Sequence, residues 1–334
     1  MVRPTMEDVA RRAGVSRALV SLVMHDSPKV SAPRRDAVLR AAEELGYSPH
    51  MMARSLASRT STVLGVMVSD LRNAFFAEVV EGLDAAARDS GFELIINTGG
   101  RRASREQRAL RSLLAFRPAG IALLSPVLPV KSIDAAASAC PVVLVSRSTR
   151  LTNVDTINDD GEAGSALAVD HLVSLGHTAI VHFDGGSAAN STSRRRGYLA
   201  AMRKHGLRPE VIHSEHTDAA GAKAVAELLQ HDELPTALVT GNDFNAIGAI
   251  SALEDAGYDI PGDISVIGYD NTSLAALRHV SLTTIDQPRM EMGRLAAEAL
   301  VQRIRGQRAE PVRQLLNPTL VTRATTTEPA RRQR

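Results

Sequence analysis

The chain of 334 residues has one cysteine, no tryptophan and 3% aromatic residues, and its 39 basic and 37 acidic side chains nearly cancel to +2. Each shortage excludes something. Lone Cys140 cannot close an internal disulfide, which makes a reducing compartment the default expectation. No run approaches the roughly 18 apolar residues that a bilayer-spanning helix needs. The opening MVRPTMEDVARR lacks the apolar stretch of an export signal, and the expectation is a soluble, cytoplasmic protein without a membrane partner. The near-zero balance excludes a polycation that binds nucleic acid by bulk charge. Missing too are G-x-G-x-x-G after a strand, G-x-x-x-x-G-K-[ST], G-x-S-x-G and H-E-x-x-H, so neither an enzyme nor a bound cofactor is expected. His213 and His216, three apart without further clustered ligands, read as surface histidines rather than a metal site, and Cys140 as a small core residue.

What is present is uneven. Residues 1–60 hold 10 Lys+Arg and 6 Asp+Glu, net +4, leaving 29 and 31, net −2, for the rest. The positive charge sits at the front, where three short helices are predicted in residues 1–46. Thr5, with Asp8 as a capping-box variant, opens the first, and Gly14 closes it. Ser16 caps a second helix running to about His25 after a four-residue turn. Ser31, with Pro33 in the first turn, caps a third that stops at Gly46. Val9, Val20, Val23, Val38 and Leu45 recur at helical spacing and form one small core. Helix, tight turn and helix make a helix-turn-helix. On its second helix Arg17, Ala18, Ser21 and Leu22 share the face opposite the buried one, which suits a recognition helix in a major groove. Arg17 could pair with guanine, and Ala18 or Leu22 could meet a thymine methyl group.

Residues 47–61 read as a linker in which Pro49–Ser58 forms a short hinge helix, too short to persist in water without a docking surface. From 62 to 325 strands alternate with helices: VLGVMV, FELIIN, AGIALL and PVVLV, then, past residue 160, AIVHF, VIHSE, TALVT, SVIGY and SLTTI. Two such runs imply two doubly wound, parallel-sheet α/β lobes with a cleft between them, lobe one about 62–160 and 289–318, lobe two about 161–288 and 319–325. Residues 326–334 read as a disordered basic tail. Open parallel sheets bind ligands at their carboxyl edges, which singles out Asp70, Asn97, Thr98, Ser125, Ser146 and Arg147 in lobe one, and Asp184, Asn242 and Asp270 in lobe two. For Asp184 and Asp159, capping a helix competes with touching a ligand.

The motifs D-V-A-x-x-A-G-V-S at Asp8–Ser16, Val20-Ser21, Val30-Ser31, L-G-Y-x-P at Leu45–Pro49 and A-R-S-L at Ala53–Leu56 resemble the start of the lac repressor family of bacterial transcription regulators. LGV at 64–66, GH at 176–177, GND at 241–243, VIGYDN and LTTIDQP extend the resemblance through nearly the whole chain. It implies an all-α helix-turn-helix headpiece on a periplasmic-binding-protein-like core. It also implies a homodimer reading a pseudo-palindromic operator in double-stranded DNA. Thr5, Ser16, Ser31, Arg34 and Arg35 would hold phosphates. His25, His50, Ala53 and Arg54 would add contacts, and Leu56 would wedge between base steps in the minor groove. Leu22, His25 and His50 depart from the arginine, asparagine and asparagine usual there, so the operator is not copied from a relative.

In the core, the resemblance implies that Arg194, Asn242 and Asp270 hydrogen-bond a small-molecule effector, that Phe75 and Phe76 close over it, and that Asn190 and Asp243 join the set. Mixed Asp, Asn and Arg groups suit a sugar or a heterocycle, and Arg194 would also suit a carboxylate or phosphate. Ser146 departs from the Asp that several relatives carry there. A sugar, a nucleobase or a small acid all stay open, as does whether the effector releases or promotes DNA binding. The rivals are a solute-binding protein, which has no use for residues 1–60, an enzyme on the same scaffold, and a nonspecific nucleoid protein.

Overall fold

The computed structural model describes residues 4–24, 27–47, 61–186 and 188–330, in two units divided between Ser61 and Thr62. In the first unit, Thr5 adopts extended backbone and opens α1 (Met6–Ala13) with a full capping box: its hydroxyl accepts from the Asp8 N–H at 3.4 Å, and the Asp8 carboxylate accepts from the Thr5 N–H at 2.9 Å. Gly14 ends the helix at φ 66°, a left-handed conformation that favours glycine. Only Gly14, Val15 and Ser16 separate α1 from α2 (Arg17–Met24), three residues rather than four, and Ser16 Oγ accepts from the Leu19 N–H at 3.2 Å. For α3 (Ala32–Leu45) the expected cap is corrected. Ser31 stands at the cap position but makes no side-chain capping bond, and Pro33 supplies the preorganised first turn instead. Val9, Val20, Val23, Val38 and Ala41 meet in one buried core, so the three helices bury one side each and leave the other polar.

The second unit contains two six-stranded sheets. The first lobe runs β1 (Val63–Val68), α4 (Ala74–Asp89), β2 (Glu93–Thr98), α5 (Ala103–Ala115), β3 (Gly120–Leu124), α6 (Val130–Ala137), β4 (Val142–Val145) and β5 (Val154–Asp159). The second runs α7 (Gly161–Ser174), β6 (Ile180–Gly185), α8 (Ser191–Lys204), β7 (Glu210–Glu215), α9 (Asp218–Leu228), β8 (Ala237–Val239), α10 (Asp243–Asp255), β9 (Ser265–Asp270) and β10 (Thr283–Asp286). The chain then returns to lobe one as α11 (Arg289–Ile304) and β11 (Arg313–Leu316), and to lobe two as β12 (Thr319–Val321). Strand orders are β11-β5-β4-β3-β1-β2 and β12-β10-β9-β8-β6-β7. All neighbours are parallel except β12, which runs antiparallel on β10 at an edge.

Central strands such as β1, β3, β4 and β9 are buried on both faces, because helices cover each side of the sheet, and β1, β3 and β4 are accordingly continuous apolar runs. Where α4 crosses α11, Gly82 and Gly293 face the opposite backbone so closely that a methyl group on either would overlap a carbonyl oxygen, of Met290 and Val79 respectively. That approach holds the returning helix against lobe one.

Two expectations about the core need correction. The pair β5–α7 lies between PVVLV and AIVHF, where the sequence reading passes over it. VDTIND carries four polar residues, and α7 opens on a glycine, so neither shows a clean periodicity. The tail is also not disordered over 326–330. Thr325, 5% exposed, donates its hydroxyl to the Val266 carbonyl at 2.7 Å, and its own carbonyl accepts from the Val266 N–H at 2.8 Å. Thr327 accepts from His177 Nε2 and exchanges bonds with Ser265. A polar segment is ordered here because its hydroxyls and backbone satisfy the buried polar groups of β9. Residues 331–334 lie outside the described residues.

Candidate functional site

The carboxyl ends of both parallel sheets face one cleft, and the chain there is strained. Arg101, Ser125, Ser146 and Asp270 all take positive φ, at 57°, 48°, 57° and 115°. Side chains pay about 1–3 kcal/mol for such conformations, which collect at ligand sites. Contacts join the lobes across it: Tyr269 donates its hydroxyl to Asp159 Oδ2 at 2.5 Å, Arg101 pairs with Glu215 at 2.7 Å, the Ser273 N–H donates to Glu78 at 2.9 Å, and the Arg72 guanidinium lies 5.9 Å from the Phe244 ring centre.

At the floor lies Arg194, in the first turn of α8 and 1% exposed. Its Nη1 donates to the Gly241 carbonyl at 2.7 Å, its Nη2 reaches Asp270 Oδ1 at 3.4 Å, and its plane stacks 3.5 Å from the Tyr269 ring centre. Gln287 also donates to Asp270 Oδ1, at 2.5 Å, and Arg289 bonds the Asp270 carbonyl. Burial pushes the Asp270 carboxyl up to about 6, against the opposing pull of the Arg194 charge. Asn242, 1% exposed, caps α10 by accepting from the Asn245 N–H at 2.9 Å.

Other expected residues lie elsewhere. Asp243 is not a cleft group. Its carboxylate turns into lobe two and is taken up by the Thr272 N–H and hydroxyl at 2.7 and 3.0 Å and by the Thr284 hydroxyl at 2.5 Å. Arg147 is not a free fork, because its Nη1 braces the Pro126 and Leu128 carbonyls at 2.8 and 2.7 Å. Phe75 and Phe76, 4% and 5% exposed, meet edge to face in the apolar core of lobe one at the start of α4. Asp184 accepts from the Gly186 N–H at 2.9 Å and shapes that loop, while Asp160, not Asp159, caps α7. Asp70 pairs with Arg72 at 3.3 Å. Ser146 Oγ and Asn190 Oδ1 are shielded from water and meet no partner among the described residues. Ser125 is half-buried at the end of β3.

Three residues at the cleft were missed in the sequence: Tyr269, Gln287 and His216. His216 is 6% exposed, not a surface residue, whereas His213 points outward. Strand periodicity holds the signal, since positions three apart on a strand face opposite ways. No cluster of three metal-ligating side chains occurs among the described residues. Cys140 is half-buried, and burial pushes its thiol up to about 11, as an inert core residue requires.

Burial and the neighbouring Asp270 carboxylate push Asp243 up to about 7. A carboxyl whose native value exceeds its unfolded value binds a proton preferentially in the folded state, so its contribution to stability falls as pH rises from about 4 to about 7 and is level above. The melting temperature of the wild type is therefore expected to rise between pH 8 and pH 5.5, and Asp243→Asn to flatten that rise. An unchanged slope would assign it to another group.

In the headpiece, Arg17, Ala18 and Leu22 are exposed and Ser21 is half-buried on one side of α2, opposite Val20 and Val23. Thr5, Ser16, Ser31 and Arg34 are exposed around it, and Arg35 donates to the Ser27 carbonyl at 2.6 Å. His25, His50, Ala53, Arg54, Leu56 and the expected hinge helix lie outside the described residues.

A helix-turn-helix unit with an exposed reading face, carried on one chain with a two-lobed core that has a polar, strained cleft, defines a ligand-responsive DNA-binding regulator. The lacI family of bacterial regulatory proteins matches residues 5–50, and the periplasmic binding protein-like domain matches residues 169–326. The chain is 35% identical over 326 residues to the ribose operon repressor of Escherichia coli, covering 96% of this chain and 98% of that protein. It is 33% identical over 326 residues to the transcriptional repressor PurR of Photobacterium profundum, covering 96% and 97%. The lac repressor dimer bound to operator and the anti-inducer ONPF matches with a TM-score of 0.83 at 30% identity, over 98% of this chain and 100% of that one. The chain belongs to the lacI family of bacterial regulatory proteins, and it is a DNA-binding transcription regulator. Among the described residues no helix is long and apolar enough to cross a membrane.

Proposed function

We propose that this protein is a homodimeric, cytoplasmic repressor whose affinity for its operator is set by a sugar bound between the lobes, and that it has no enzymatic activity. The observation that supports the effector site best is the buried Arg194–Asp270 pair at the floor of the cleft. An ion pair with 1% and 4% of its side chains exposed is weak evidence for stability, so its position at a strained strand edge argues for ligand recognition. Names of relatives point the same way, since one is a ribose operon repressor. Arg17, Ala18, Ser21 and Leu22 read bases, with His25 beside them. Thr5, Ser16, Ser31, Arg34 and Arg35 hold phosphates, and His50, Ala53, Arg54 and the Leu56 wedge engage the operator centre. Closure of the cleft changes the coupling between core and linker, and about 1–3 kcal/mol is enough to shift operator affinity 5- to 150-fold.

The test has two stages. Randomised-site selection with purified protein should return a pseudo-palindrome, and a mobility shift on that site should then respond to a cleft ligand found by thermal shift. Equal competition by any DNA, or turnover of a ligand, would overturn the reading.

A further inference from the structure

Arg88 on α4, Arg196 on α8 and Arg294 on α11 each stand beside an acid, Asp84 at 2.5 Å, Glu162 at 3.1 Å and Glu291 at 2.6 Å. Helix α5 is different. Between Leu94 and Ile133 the chain holds six arginines and one lysine against a single acid, Glu106. Glu106 offsets nothing at the surface, because it is 0% exposed and is taken up by the Ser69 hydroxyl at 3.2 Å and the Val127 N–H at 2.7 Å. On the side of α5 opposite Glu106, Ala109, Leu110 and Leu113 stand Arg105, Arg108 and Arg111, with Ser104, Ser112 and Ala115 among them, all exposed. Arg102 and Arg117 are exposed at the two ends of the helix. The guanidiniums of these five arginines have no ion pair or hydrogen bond among the described residues.

That arrangement opposes the helix that carries it. Like charges three residues apart, Arg105 with Arg108 and Arg108 with Arg111, repel across one turn. Arg102 stands at the N-cap without a side-chain capping bond, and with Arg105 it puts cations at the positive end of the helix dipole. Charges kept against local stability mark a surface that binds something. Arginine forks and serine hydroxyls are the groups that contact phosphates. The centre of the face lacks the apolar anchor of a protein interface, since exposed Phe116, at 41%, stands at the C-cap. Duplex DNA, with one negative charge per about 1.7 Å of its axis, is the polyanion that a lacI-family regulator binds.

We propose that the outer face of α5 is a second, sequence-independent DNA-binding surface, carried by the core rather than the headpiece, on which Arg105, Arg108 and Arg111 hold the phosphate backbone of a duplex. Base reading stays with α2. The α5 face adds affinity for any duplex within its reach and makes that affinity steeply dependent on salt.

Fluorescence anisotropy of the full-length protein on a random-sequence duplex of about 60 base pairs, from about 50 to about 200 mM salt, tests it. The triple variant Arg105→Gln, Arg108→Gln, Arg111→Gln should bind about tenfold more weakly or worse at the lowest salt. Its slope of log affinity against log salt should be shallower by about 2 to 3, close to 0.9 for each phosphate no longer neutralised. A control that removes three paired arginines, Arg88→Gln, Arg196→Gln, Arg294→Gln, lowers the net charge equally and should move the slope by less than about 1. The α5 variant should melt no lower than wild type, because repulsion along the helix is relieved. Equal slopes for wild type and the α5 variant overturn the proposal, and an equal loss in both variants does so by assigning the effect to bulk charge. A lowered melting temperature of the α5 variant also overturns it, by making the arginines structural. An α5-dependent preference for poly-L-glutamate over the duplex overturns DNA as the partner in favour of an acidic polypeptide.

Discussion

Arg194→Met is expected to destabilise the protein by about 3–5 kcal/mol at pH 8, the usual cost of removing one partner from a buried ion pair. Methionine fills much of the volume, so the loss is electrostatic rather than a cavity. Asp270, 3% exposed, would keep only Gln287 as a side-chain donor to Oδ1, and the Gly241 carbonyl would lose its guanidinium bond. The pH dependence separates this from simple packing damage. Burial already raises the Asp270 carboxyl to about 6, and without the arginine charge it rises further. A carboxyl with a raised native pKa gains stability as pH falls through that value, because the folded state takes up a proton that the unfolded chain does not. The deficit relative to wild type should therefore shrink at pH 5.5. Urea unfolding at the two pH values measures it, and an equal deficit at both would show that Asp270 is not the group left unpaired.

Leu22→Arg is expected to change the preferred base at one step of each half-site by about 1–3 kcal/mol, roughly 5- to 150-fold in affinity. Leu22 is 42% exposed on the face of α2 that also carries Arg17 and Ala18, while Val20 and Val23 anchor the other face. Because the anchoring face is untouched, the helix should keep its place and only the readout should change. Leucine can meet a thymine methyl group but accepts and donates nothing, whereas arginine bonds two acceptors on a guanine edge. Randomised-site selection with both proteins decides it. Recovery of the same half-site from both would take Leu22 out of the reading set.

The fold was legible wherever one residue decides a local conformation or a run of apolar residues is buried on both sides. Thr5, Gly14 and Ser16 mark the helix ends they were expected to mark. What sequence concealed is which of two neighbouring polar residues faces the cleft. Asn242 and Asp243 stand side by side in GND, yet the first caps α10 at the strand end and the second turns to Thr272 and Thr284, partners 29 to 41 residues away. Thr326 and Thr327 misled for the same reason, since a threonine reads as solvent-facing until a distant strand offers it partners. His216 was legible in principle. The alternation of β7 sends it away from exposed His213, but neither the room that Gly185 and Gly241 leave for its ring nor the distant Arg194 can be seen from its neighbours.

The chain passes between the lobes after β5, after β10 and after β11. No single cut in the sequence therefore divides one lobe from the other, and neither could be exchanged with a relative as one contiguous cassette. Three covalent crossings are expected to oppose sliding and pulling apart of the lobes more strongly than hinge-like rotation between them. A small molecule held at the strand ends, as proposed above, would then act mainly on that rotation.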